Sequence, residues 1–101
     1  ELALTGDPID ATRAHHFGLV NRLVEPGQAL GEAISLAEQI TANAPLAVRA
    51  SRQVVLEATY APDDVGWRVS GEQFAKVIAS GDTAEGLTAF IEKRAPQWKG
   101  R

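Results

Sequence analysis

Asp82-Thr83-Ala84-Glu85-Gly86-Leu87-Thr88-Ala89-Phe90-Ile91-Glu92-Lys93-Arg94-Ala95-Pro96-Gln97-Trp98-Lys99-Gly100-Arg101 forms the last fifth of the chain. Its reading decides between helix and strand. Leu87, Phe90, Ile91 and Arg94 recur at three- and four-residue intervals, which places them on one face of a helix. Asp82 followed by Glu85 reads as a capping arrangement for its first turn. Ala95-Pro96 stops it, because proline has no N–H for the next hydrogen bond. Lys93 and Arg94 fall in the last turn, where cations complement the helix dipole. A basic tail from Gln97 to Arg101 remains, with Lys99 and Arg101 read as solvated.

The same punctuation recurs upstream, giving about five helical stretches in all. Asp10 reads as the N-cap of a short helix from Ala11 that stops at Gly18. Leu19-Val20 and Leu23-Val24 suggest a brief extended stretch. After Pro26-Gly27, Leu30, Ala33, Ile34, Ala37 and Ile40 form a helical stripe that ends near Asn43. Pro45 suits the first turn of the next helix, where Leu46, Ala50, Val54 and Ala58 recur every four residues. Tyr60-Ala61-Pro62-Asp63 breaks it. Val65, Trp67, Val69, Phe74, Val77 and Ile78 mark a fourth helix that is weakened by Gly66 and Gly71 and ended by Gly81. Such short, Gly-bearing helices hold little stability alone, so much of their apolar surface is expected to pack on something else.

Composition narrows the classes. With 45% hydrophobic and 23% charged residues the chain has ordinary globular composition, and its length suits one small domain of marginal stability. A net charge of −3 disfavours nucleic-acid binding. The lack of cysteine excludes disulfides and thiolate chemistry, and fits a reducing cytosol. No apolar run reaches membrane-spanning length. The chain has no Met, and it opens on Glu1 with Leu2 and Leu4 close behind. It is therefore expected to be a piece of something longer.

Two blocks resemble the crotonase (enoyl-CoA hydratase/isomerase) family. One is Leu4-Thr5-Gly6-Asp7-Pro8-Ile9-Asp10-Ala11 followed by Gly18-Leu19-Val20-Asn21-Arg22-Leu23-Val24. The other is Asp82, Glu85-Gly86, Ala89-Phe90, Glu92-Lys93-Arg94, Pro96 and Trp98-Lys99-Gly100-Arg101. Between them Ala37, Ile40, Asn43-Ala44-Pro45 and Ala47 also match. The resemblance implies that residues 1–101 are an all-α segment, the C-terminal part of the α/β crotonase spiral fold. Such a segment covers the active site and builds trimers, often paired into hexamers. The implied activity of the parent is hydration of 2-enoyl-CoA to 3-hydroxyacyl-CoA. CoA is the substrate carrier, and no metal or redox cofactor is required. The family's oxyanion-hole amides and catalytic carboxylates lie in the spiral core, so no catalytic residue is assigned here. The family's adenine-end contacts map onto Phe90 and Lys93, an aromatic face for stacking and an ammonium for the 3′-phosphate.

Each feature also has a plainer structural role. Phe90 lies on the apolar stripe and could pack at a helix interface, and Lys93 could simply serve the helix dipole. His15 and His16 point in different directions and are too few for a metal site. Asp63-Asp64 and Asp82…Glu85 stand at helix starts, where acids favour the dipole rather than general acid–base work. Trp67 and Phe74 read as core, although in this family the corresponding helix can border the acyl tail. Isomerase or other acyl-CoA lyase chemistry remains an alternative to hydration. So does a stand-alone, non-catalytic helical interaction module. A nucleic-acid binder and a membrane partner are disfavoured.

Overall fold

The computed structural model describes all residues from 1 to 101. It consists of α1 (Leu2–Thr5), α2 (Ala11–His16), α3 (Ala29–Thr41), α4 (Pro45–Ala58), α5 (Asp63–Ile78) and α6 (Gly81–Glu92), with no strand. Two compact units divide the chain, Glu1–Leu36 and Ala37–Arg101.

In the first unit the expected cap is present. Asp10 has an extended backbone, and its Oδ1 accepts the Arg13 N–H at 2.7 Å. This satisfies one of the orphan amides of the first turn of α2. At the other end of α2, the Leu19 N–H reaches the Ala14 carbonyl at 2.9 Å and the Gly18 N–H reaches His15 at 3.0 Å. Gly18 takes φ 72°, the left-handed conformation that such a closing turn demands. Leu19-Val20 and Leu23-Val24 do not form a strand: they lie in bends and irregular backbone, with no neighbouring strand to complete a ladder. Arg22 pairs with Glu32 in this unit.

In the second unit α4 packs along α5, and α6 meets α5. Asn43 follows α3 as expected, and its side-chain amide donates to the Gln39 carbonyl at 2.8 Å. Pro45 occupies the first turn of α4. The Val54-Val55 pair is helical, and Asp63 and Asp64 stand in the first turn of α5. Gly66 lies inside α5 without breaking it, and a Cβ there would make ordinary contact with Ala58 Cβ at 3.5 Å, where α4 and α5 run close. Gly81 departs from expectation. It opens α6 instead of ending α5. The turn is closed by hydroxyls, not by a left-handed glycine: Ser80 Oγ and Thr83 Oγ1 each donate to the Val77 carbonyl at 2.6 Å.

The core is very small. Val69 and Ala89 are its only buried apolar residues. Trp67 and Phe74, read as core from the sequence, are 78% and 64% exposed. The reading of both as core is therefore corrected: their spacing marks them as apolar positions of α5, but spacing does not say what covers them. Within the chain nothing covers those positions.

Candidate functional site

The best-organised region of the second unit is α6 and the segment that follows it. At the end of α6 the Lys93 N–H meets the Phe90 carbonyl at 3.3 Å and the Arg94 N–H meets the Ala89 carbonyl at 3.0 Å. This is the closing turn seen in α2, but the left-handed position is held by Lys93, with φ 54° and ψ 38°. Lys93 is the only non-glycine with positive φ. A side chain in that region costs on the order of 1 kcal/mol or more, so the surrounding contacts must impose it.

They do so through three carboxylates of α6, Asp82, Glu85 and Glu92. Glu85 grips Arg94 in a fork, Oε1 to Nη1 at 2.6 Å and Oε2 to Nη2 at 3.0 Å. Glu92 takes Arg94 Nε at 2.6 Å. Glu85 Oε1 also accepts the Gln97 N–H at 2.7 Å. Further on, buried Asp82 accepts the Lys99 N–H at 2.7 Å and the Gly100 N–H at 2.9 Å, and the Gly81 N–H reaches the Arg101 carbonyl at 2.9 Å. Residues 94–101 therefore run back along α6 from its C-terminal end to its N-terminal end. Trp98 lies over Gly86, with ring atoms 3.2 and 3.4 Å from where a Cβ would sit, and its Nε1 donates to the Ala42 carbonyl at 2.8 Å.

This corrects the sequence reading at three points. Asp82 and Glu85 do not cap their own helix: Ser80 is the N-cap and makes no side-chain cap bond, while both carboxylates bind the returning tail. Lys93 lies past the last turn, not within it. The tail is docked through the Gln97, Lys99 and Gly100 amides and the Trp98 indole, while Gln97, Lys99 and Arg101 remain exposed, the last two as expected. No local pattern signals the Glu85–Arg94 and Asp82–Lys99 pairings, because partners nine and seventeen residues apart fit no helical period.

The Glu85 carboxyl is held down to about 2 from an ordinary 4.5, first by the Arg94 hydrogen bonds and then by the Gln97 amide. The same pairing raises the Arg94 guanidinium further above its usual value. The sign follows from linkage. A carboxylate with a lowered folded-state pKa stabilises fully above its unfolded value and loses that contribution as pH falls through the folded one. Acid titration of the melting temperature should therefore show a descending limb between about pH 4.5 and about 2 that flattens in Glu85→Gln. An unchanged limb in the variant would remove Glu85 as its cause.

Phe90 and Lys93, the residues singled out for coenzyme contact, stand one helical turn apart at this corner. Phe90 is 84% exposed. Lys93 is exposed, and its ammonium has no ion-pair partner within the chain. The concavities lie elsewhere, lined by neither Phe90 nor Lys93. One of about 370 Å³ between α4 and α5, with Phe74 on its wall, has no ionisable side chain. No three His, Asp or Glu side chains come together to hold a metal ion. No helix is long and apolar enough to cross a membrane.

An all-helical segment with a surplus of uncovered surface and an aromatic–cationic corner is what a part of a larger crotonase-fold enzyme would present. The chain belongs to the enoyl-CoA hydratase/isomerase family, whose model matches residues 1–101. It is 41% identical over 101 residues to the enoyl-CoA hydratase EchA19 of Mycobacterium tuberculosis, covering 100% of this chain and 38% of that protein. It is 38% identical to the carnitinyl-CoA dehydratase of Salmonella typhi, covering 40% of that protein. The crystal structure of an enoyl-CoA hydratase from Mycobacterium tuberculosis superposes with a TM-score of 0.93 at 48% identity, over 99% of this chain and 40% of that one. The chain thus spans about two fifths of the length of the relatives it matches.

Proposed function

We propose that the chain is the C-terminal part of an enoyl-CoA hydratase that adds water across the double bond of a 2-enoyl-CoA to give a 3-hydroxyacyl-CoA. Support comes from hydratase-named relatives that match the chain from end to end. The observation within the chain that carries the reading is the corner of Phe90 and Lys93. There an exposed ring in the last turn of α6 is followed three residues on by an ammonium without an ion-pair partner, on a residue held left-handed, and such backbone conformations cluster at ligand-contacting positions. Phe90 would stack on the adenine and Lys93 would meet the 3′-phosphate, as a point charge suits a phosphate.

The reaction itself would belong to the remainder of the enzyme. There, backbone amides would polarise the thioester carbonyl, and two carboxylates would move the protons of water. CoA is the substrate carrier, and no metal or redox group is needed for this chemistry. Uncovered apolar surface on α4, α5 and α6 would pack on that remainder and on neighbouring copies in a trimer or hexamer. Isomerisation of the enoyl double bond is the alternative within the family. Full-length enzyme is expected to convert crotonyl-CoA into 3-hydroxybutyryl-CoA without added metal, followed by loss of the conjugated thioester absorbance. If the product is absent and a 3-enoyl-CoA is instead converted to the 2-enoyl isomer, the isomerase reading replaces hydration.

A further inference from the structure

We propose that Glu85 is a positioning residue for coenzyme recognition: by gripping Arg94 it holds Lys93 in the left-handed conformation from which the Lys93 side chain serves the 3′-phosphate. The inference rests on the reading of Phe90 and Lys93 as a coenzyme contact and adds a residue that would not touch the coenzyme.

The chain geometry carries it. A left-handed residue reverses the backbone at the end of α6, and only that reversal brings Arg94 back alongside its own helix. Arg94 then lies within 2.6 and 3.0 Å of the two oxygens of Glu85. If Lys93 relaxed to the right-handed region, α6 would extend, Arg94 would swing off Glu85, and the Gln97 amide would lose the same carboxylate oxygen, now 2.7 Å away. The grip and the conformation therefore require each other. Elsewhere the chain gives such a position to glycine, as at Gly18 with φ 72°. Glycine would remove the strain at residue 93, but it would also remove the ammonium. Keeping a lysine there requires an external anchor, and the forked Arg94–Glu85 pair is the anchor present. Its planar two-point geometry fixes direction as well as distance.

The test uses full-length enzyme and two probes, CoA and 3′-dephospho-CoA, as competitive inhibitors, read as the ratio of their inhibition constants. Lys93→Ala is expected to cut the preference for CoA about tenfold, the size of a charge-assisted phosphate contact. Glu85→Gln is expected to cut it several-fold when Lys93 is present and to add nothing in the Lys93→Ala background, with kcat unchanged. Arg94→Lys, which cannot form the fork, should behave as Glu85→Gln does and serves if that variant folds poorly by circular dichroism. An equal loss from Glu85→Gln in both backgrounds would overturn positioning through Lys93. So would an unchanged preference in Glu85→Gln while Lys93→Ala loses it. If Lys93→Ala itself keeps the full preference, the coenzyme reading of this corner fails and the positioning role fails with it.

Discussion

Asp82→Ala is expected to cost about 2–3 kcal/mol of stability and to release the last residues of the chain from α6. Asp82 is only 3% exposed, and its two oxygens are the sole acceptors for the Lys99 and Gly100 amides, at 2.7 and 2.9 Å. Bonds to an ionised acceptor are about twice as strong as neutral ones. Alanine removes both acceptors and leaves their donors to find water at a half-closed surface. The first turn of α6 would also lose a negative charge from its favourable end. Asp82→Asn keeps one carbonyl acceptor and should fall between the two. Denaturant melts give the energy, and amide hydrogen exchange at residues 99 and 100 gives the location. An alanine variant that melts as wild type with those amides still protected would show that the tail is held by other contacts.

Trp98→Ala should be the second large loss, again about 2–3 kcal/mol, as a partly buried aromatic is deleted together with its hydrogen bond. The indole does two things at once. Its ring covers Gly86 so closely that a Cβ would sit 3.2 Å from it, and its Nε1 reaches the Ala42 carbonyl at 2.8 Å, just past the end of α3. That double contact explains a glycine in the middle of α6, where alanine would favour the helix by roughly 1 kcal/mol. Trp98→Phe retains most of the cover and loses only the N–H, so it should cost about 1 kcal/mol. A phenylalanine variant as damaged as the alanine one would shift the weight from packing to the hydrogen bond. The two losses should add only in part, because Asp82 and Trp98 hold the same returning segment.

Local signals made much of the fold legible. Asp10 and Gly18 bracket α2 because capping and left-handed closure depend on one or two side chains. Pro45, Asn43 and the Asp63-Asp64 pair mark helix ends for equally local reasons. The assignments at Asp82, Glu85 and Gly81 did not survive. Each fits a local rule, a capping arrangement or a terminating glycine, but the tail supplied stronger partners for the carboxylates and hydroxyls closed the turn before Gly81. Trp67 and Phe74 show another limit. Periodicity tells which face is apolar, not whether anything covers it.

The family was readable from residue order alone: the glycine and proline breaks, the Glu85-Gly86…Ala89-Phe90 and Glu92-Lys93-Arg94 blocks, and the placement of Phe90 and Lys93 at the end of one helix. Only the tertiary structure decided that the chain after Pro96 turns back, that Asp82 and Glu85 bind it, and that Lys93 is held left-handed. The physical reason is sequence distance. Caps and helical stripes are encoded within four residues, whereas a carboxylate's choice between its own helix end and a backbone amide seventeen residues away is settled only when both are brought together.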